Sequence, residues 1–184
     1  MANAQRFQDK VVIVTGAAQG IGQGVALQVA LEGGKVVLAD RADYVEKTLN
    51  DIQANGGEAV VVLADLETYA GAQSVVQKAI DSYGRVDVMI NNVGGAIWMK
   101  PFTEFTEEEI IKEINRSLFP TLWSCRAVLP HMQKQQAGVI VNVSSIATLG
   151  INRLPYSAAK GGVNSFTGGV SKSMLKKNRL AFDK

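Results

Sequence analysis

Residues 10–22 read Lys-Val-Val-Ile-Val-Thr-Gly-Ala-Ala-Gln-Gly-Ile-Gly. The run from Val11 to Val14 is β-branched with no polar alternation, the pattern of a strand buried on both faces of a parallel sheet. It ends in a turn with glycines at 16, 20 and 22, and the apolar-periodic stretch from Gly22 onward reads as a helix. A strand, a glycine turn and a helix in this order let backbone approach a pyrophosphate closely. They also aim a helix N-terminus, with its unpaired N–H groups and partial positive charge, at that anion. The spacing is G-x-x-x-G-x-G, which differs from the G-x-G-x-x-G of the common dinucleotide fingerprint, so the rest of the chain must say what the turn serves.

Working outward, strands and helices alternate. Lys35 to Ala39 reads as a second buried strand that stops at Asp40-Arg41, and Tyr44 to Asn55 as a helix ended by Gly56-Gly57. Glu58 to Ala64 is a third strand, followed by Asp65-Leu66. Ala72, Val75, Val76, Ala79, Ile80 and Tyr83 mark one face of the next helix, and Val86 to Ile90 is a fourth strand. Beyond Asn91-Asn92-Val93-Gly94-Gly95 a loop leads to Thr106 and Glu109, whose spacing is that of a capping box at a helix start. That helix is expected to run past Asn115 to Pro120, which removes an N–H, leaves the Arg116 carbonyl unpaired and bends the axis. Gly138 to Val143 is a fifth strand, delivering Ser144-Ser145 to the same sheet edge as the glycine turn. This alternation predicts an α/β fold with a doubly wound parallel sheet and ligands bound outside the carboxyl ends of its strands.

Two spacings carry chemistry. Asp40 falls 18 residues beyond Gly22, where a carboxylate accepts hydrogen bonds from a ribose 2′-hydroxyl and repels a 2′-phosphate, favouring NAD over NADP. Arg41, beside it, offers that phosphate a partner, so the alternative stays open. Tyr156 and Lys160, four apart on a helix, share one face. An ammonium near a phenol favours the phenolate, which makes Tyr156 a candidate acid/base, with a serine hydroxyl to hold a substrate oxygen beside it.

At 184 residues the chain suits one domain, and 47% hydrophobic with 20% charged residues excludes a disordered chain. It contains no 18-residue apolar run, and the polar stretch Met1 to Asp9 does not read as a signal peptide. Cys125 is the single cysteine, which permits no internal disulfide, suits a reducing cytoplasm and reads as a packing residue. His131, near Pro130, reads as a capping or surface residue, and no metal site is expected. The net charge of +2 hides a basic tail: Lys172, Lys176, Lys177, Arg179 and Lys184 against Asp183 give the last thirteen residues +4, leaving −2 for the remainder. No positive stripe is left to hold nucleic acid, and no membrane partner is expected.

The set of motifs closely resembles the short-chain dehydrogenase/reductase family over about residues 8 to 170: T-G-x-x-x-G-x-G at Thr15 to Gly22, Asp65, Asn-Asn-x-Gly at Asn91 to Gly94, Asn115, Ser-Ser and Y-x-x-x-K. The resemblance implies a Rossmann-like NAD(P)-binding domain. Tyr156 would be the acid/base, Lys160 would lower its pKa and bind the nicotinamide ribose, a serine would orient the substrate, and Asn115 would hold a water in a proton relay. Cofactor contacts would come from Thr15, Gly16, Gln19, Gly20, Ile21, Gly22, Asp40, Asp65, Leu66, Asn91, Tyr156 and Lys160. The family's serine-to-tyrosine spacing is two residues longer than Ser145 to Tyr156, so the role passes to Ser145 across a shortened loop, with Ser144 as the alternative.

Residues 91–102, 115–123 and 144–156 look like a narrower group, the bacterial dehydrogenases of benzoate and toluate breakdown. These act on a cis-dihydroxycyclohexadiene carboxylate made by a ring dioxygenase. That likeness implies NAD-dependent oxidation to a catechol with loss of carbon dioxide, in a cytoplasmic and, at full length, homo-oligomeric enzyme. The other readings are a general alcohol or 3-oxoacyl reductase of the same family, and an inactive NAD-binding fragment. The substrate carboxylate needs a cationic partner; Arg153, between Ser145 and Tyr156, is the first candidate and Lys100 the second. One departure stands out: residues 168–184 do not resemble the family, which continues with further strands and a substrate lid. The expectation is one domain, 1–184, incomplete at its C-terminus. Its sheet would end after the fifth strand and following helix, with an exposed edge, a tendency to self-associate and little turnover.

Overall fold

The computed structural model describes residues 5–175 and 181–183, with side chains over residues 5–172. Of the basic tail, Lys176, Lys177, Arg179 and Lys184 lie outside the described residues, as do residues 1–4 of the polar start. Six strands, β1 (Val11–Thr15), β2 (Lys35–Asp40), β3 (Glu58–Leu63), β4 (Val88–Asn91), β5 (Val139–Asn142) and β6 (Ala181–Asp183), form one sheet in the order β3-β2-β1-β4-β5-β6. Every pairing is parallel. The chain builds outward from β1 to β3, then returns to the other side of β1 with β4, so the switch point lies between β1 and β4. The short β6 carries the sheet one strand beyond the sequence expectation.

Side-chain alternation in the inner strands feeds two cores. Val11 and Ile13 of β1, with Val37 and Ala39 of β2, face a cluster built on α3 (Tyr69–Tyr83) and α5 (Phe119–Gln135). Val12 and Val14, with Val36 and Leu38, face the opposite cluster, built on α1 (Gly20–Leu31) and α2 (Val45–Ala54). Each such fully buried Val or Leu contributes about 1.5–3 kcal/mol. β3, at the sheet edge, is only partly buried. Among the described residues no helix is long and apolar enough to cross a membrane.

The capping box is present: Thr106 Oγ1 accepts from Glu109 N at 3.3 Å, and Thr106 N donates to Glu109 Oε2 at 2.9 Å, opening α4 (Glu107–Ser117). The single bent helix expected through Asn115 is instead divided at Leu118, and Pro120 stands in the first turn of α5, where its missing N–H costs nothing. α6 (Leu154–Leu175) is fastened to the sheet by a buried polar chain. Asn91 Nδ2 donates to Asn142 Oδ1 at 2.8 Å, and Asn142 Nδ2 donates to Thr167 Oγ1 at 2.9 Å. Cys125 lies against this chain, its thiol pushed up to about 12 by burial, so it packs and does not react.

Two predictions come from these contacts. A Cβ on Gly22 would lie 2.1 Å from the Gly16 carbonyl oxygen, whereas one on Gly24, two residues along α1, meets nothing within 4 Å. Gly22→Ala is expected to cost on the order of 3 kcal/mol, and Gly24→Ala to stabilise by about 0.5–1 kcal/mol, read from urea unfolding. At the far end of α1, the two carboxylate oxygens of Glu32 accept from Arg6, and Gln28 adds a bond of 2.7 Å. These partners, Arg6 first, hold the Glu32 carboxyl down at about 2. Its contribution is full above the ordinary carboxylate range and is lost as pH falls through about 2. Arg6→Ala raises that folded-state pKa, so acid unfolding should begin at higher pH than in the parent, with carboxyl NMR following Glu32 itself.

Candidate active site

A cleft of about 350 Å3 crosses the carboxyl ends of β3, β2, β1 and β4. The turn contributes Gly16, Gln19, Gly20 and Ile21; the ends of β2 and β3 contribute Asp40, Arg41, Asp65, Leu66 and Glu67; the segment after β4 and the helix α4 contribute Asn92, Val93, Gly94 and Arg116. Gly16 and Gly20 adopt positive φ, +67° and +60°, and the close pass of Gly22 by Gly16 sets the start of α1 directly over the end of β1. The first N–H groups of a helix have no intrahelical acceptor, so they are available to an anion at the turn.

Thr15 and Gly22 support this turn and do not line the cleft. The Thr15 hydroxyl donates to Ile90 O at 3.2 Å and accepts from Asn92 N at 2.9 Å, while Asn92 Nδ2 donates to Thr15 O at 3.1 Å. Asn91 needs correction as a cleft residue. Its side chain is turned into the interior, onto Asn142, and its carbonyl accepts from Val143 N at 2.9 Å; Asn92 is the asparagine at the cleft.

On the β2 and β3 side, Asp40 is oriented by two backbone donors: Ala18 N to Oδ2 at 3.0 Å and Ala42 N to Oδ1 at 3.1 Å. Each oxygen keeps acceptor capacity for a ligand hydroxyl. Asp65 Oδ1 accepts from Glu67 N at 3.0 Å, and Glu67 Oε1 lies 3.7 Å from Arg41 Nη1. Glu67 was not legible from the sequence as a cleft residue, because nothing local marks a carboxylate that meets Arg41 across a strand.

On the β4 side, the buried Lys160 of α6 donates from Nζ to Val143 O at 2.7 Å, and desolvation pushes its pKa down. Gly94 passes so close that a Cβ there would lie 3.0 Å from Lys160 Nζ and 3.4 Å from Ser117 Cα. Ser117 Oγ accepts from Gly95 N at 3.3 Å. Ser117, at the end of α4, is the residue of that helix that reaches Gly95, and Asn115, two residues earlier, is partly buried. Glu113, one turn before Ser117 and fully buried, accepts from Ile97 N at 3.0 Å and so ties the loop after β4 to α4.

Tyr156 stands one turn ahead of Lys160, half-buried, its hydroxyl making no hydrogen bond to the described residues. Ser145 Oγ accepts from Ala147 N at 3.0 Å, capping the short turn Ile146–Leu149 and leaving its own proton to donate. Ser144 Oγ donates to Lys160 O at 3.4 Å. Of the two cations, Lys100 is taken: its Nζ lies 2.6 Å from Glu109 Oε2. Arg153 has no carboxylate partner among the described residues. Its Nε is buried without a hydrogen bond, its Nη2 meets Met99 Sδ at 3.3 Å, and its stem packs on Gly150.

Residues 10–180 match the family described as short chain dehydrogenase. The chain is 66% identical over 171 residues to a 1,6-dihydroxycyclohexa-2,4-diene-1-carboxylate dehydrogenase of Acinetobacter baylyi, covering 93% of this chain and 66% of the relative. A protein of the same name from Pseudomonas putida is 52% identical, over 89% of this chain and 60% of its own length. The chain thus spans 60% to 66% of the length of these two relatives. Among solved structures, levodione reductase superposes with a TM-score of 0.89 at 30% identity, over 93% of this chain and 68% of that one. A glycine turn at the switch point of a parallel sheet, a Tyr/Lys pair on the helix after the fifth strand, and a match over residues 10–180 have one reading: the chain belongs to the short-chain dehydrogenase family.

Proposed function

We propose that this protein is an NAD-dependent dehydrogenase that oxidises a cis-dihydroxycyclohexadiene carboxylate at its secondary carbinol carbon. The observation that carries the reading is the 66% identity to the Acinetobacter baylyi protein over 93% of this chain. The residues present fit a dinucleotide. The missing Cβ at Gly22 makes room for the turn, the α1 N-terminus would offer N–H groups to a pyrophosphate, and Asp40, held by Ala18 and Ala42, would have lone pairs left for a ribose hydroxyl. Gly16, Gln19, Gly20 and Ile21 would hold the phosphates, Asp65 and Leu66 the adenine, and Lys160 the nicotinamide ribose. When bound, the dinucleotide supplies the acceptor for the substrate's hydride.

The chain's own residues handle the proton and the orientation. Tyr156 accepts the carbinol hydroxyl proton as the carbon–oxygen double bond forms. Ser145, with its proton still to give, holds the same oxygen and fixes its direction; Ser144, engaged with the Lys160 carbonyl, is the lesser candidate. Lys160, buried and donating to the Val143 carbonyl, stands one turn along α6 from Tyr156. The product is a β-keto acid. It loses carbon dioxide without help from a further residue, because the electron pair left behind enters an enolate that becomes the aromatic catechol. Arg153, three residues ahead of Tyr156 and without an acidic partner, receives the substrate carboxylate.

The direct test is to follow NADH and catechol formation from the diol acid. Tyr156→Phe should lower turnover ~10²–10⁴-fold while NAD affinity holds within about twofold, since only the ionisable oxygen is lost. Arg153→Ala should cost about 1.5–3 kcal/mol in kcat/KM for the acid and little for its carboxamide. Lys100→Ala, breaking a pair with Glu109, should leave that discrimination between acid and amide unchanged. An Arg153→Ala enzyme that still prefers the acid by the parental factor would remove Arg153 from the site.

A further inference from the structure

We infer that Glu67 is a specificity-determining residue: it pairs with Arg41 and so denies the one cation on the adenosine side of the cleft to a 2′-phosphate. The inference rests on the dinucleotide reading above and extends it to a second residue on the same wall of the cleft as Asp40. The wall made by the ends of β2 and β3 carries Asp40, Asp65 and Glu67 against a single guanidinium, Arg41. Asp40 alone is an ambiguous discriminator, because the residue beside it is an arginine. An unengaged arginine there would clamp a phosphate with two N–H donors and offset the carboxylate.

Arg41, however, is not unengaged. Glu67 Oε1 lies 3.7 Å from Arg41 Nη1, and Glu67 is itself held in place because its N–H donates to Asp65 Oδ1 at 3.0 Å. Arg41 is 61% exposed and Glu67 30% exposed at the side chain, so the pair is weak as a contribution to stability. Its effect is on the ligand. A 2′-phosphate would have to take Arg41 from Glu67 and then sit between two carboxylates, whereas a 2′-hydroxyl meets only acceptors it can donate to. Asp40 supplies the hydrogen bond that recognises the ribose, and Glu67 supplies the penalty that rejects the phosphate.

Equilibrium titration of NAD and NADP, read by tryptophan fluorescence or calorimetry without turnover, tests this in the parent protein, Glu67→Gln, Arg41→Ala and the double variant. Glu67→Gln should tighten NADP binding about threefold or more, with NAD affinity nearly unchanged, because the amide neither repels phosphate nor neutralises Arg41. Measured against Arg41→Ala, the double variant should show less than half of that gain, which assigns the larger part to the freed guanidinium. An unchanged ratio of NADP to NAD affinity in Glu67→Gln overturns the inference, and so does a gain that persists in full in the double variant relative to Arg41→Ala. If the parent binds neither dinucleotide, the nucleotide reading fails first and this inference with it; if the parent binds NAD and only the variant result is negative, the reading stands and Glu67 is a bystander.

Discussion

The carbonyl oxygen of Gly16 passes the Cα of Gly22 so closely that a methyl group there would sit 2.1 Å from it. That single approach decides where α1 begins relative to β1. It sets the helix N-terminus over the sheet edge, brings Asn92 within reach of the turn backbone, and leaves a cleft whose floor is main chain. Asp40, Asp65 and the segment after β4 line one cleft because the strands that carry them are packed side by side with β1 at the centre. Side chains larger than hydrogen at position 22 would push the helix away and open that floor.

The other side of the site is organised by buried charge. Lys160 and Glu113 are both almost fully buried, yet each is satisfied by backbone groups and not by an opposite charge: Lys160 by the Val143 carbonyl after β5, Glu113 by the Ile97 N–H after β4. Taking a charge out of water costs several kcal/mol unless good partners replace the water. These two loops therefore cannot drift without exposing that cost. The segments after β4 and β5 are thus both held by buried ionisable side chains.

The parts of the fold that were legible in the sequence are those set by neighbours along the chain. The buried β-branched strands, the glycine turn and the Thr106/Glu109 capping box all follow from spacing, and all are present. What was not legible depends on phase and on tertiary partners. Asn91 and Asn92 are consecutive at a strand end, so their side chains take opposite sides and which one meets the cleft depends on where pairing stops. Ser117 carried no signal in the sequence, because its contact with Gly95 is made across the loop after β4. Lys100 looked free because its partner, Glu109, already had a capping role to explain it. β6 is three residues long, too short for any periodicity to mark it.

Thr15 closes the account of how the cleft keeps its width. The ladder between β1 and β4 runs from Val12 opposite Val88 to Val14 opposite Ile90, and there the strands begin to diverge. Beyond that point the Thr15 hydroxyl donates to Ile90 O and accepts from Asn92 N and Val93 N, doing with one side-chain oxygen what another rung of main chain would have done. The split between strands is therefore stopped at a fixed depth, like a seam ended by a stitch. Valine has the same outline as threonine and no such oxygen, so at this position shape and valence come apart: what holds the mouth of the crevice is a hydrogen-bonding pattern, built before any ligand arrives.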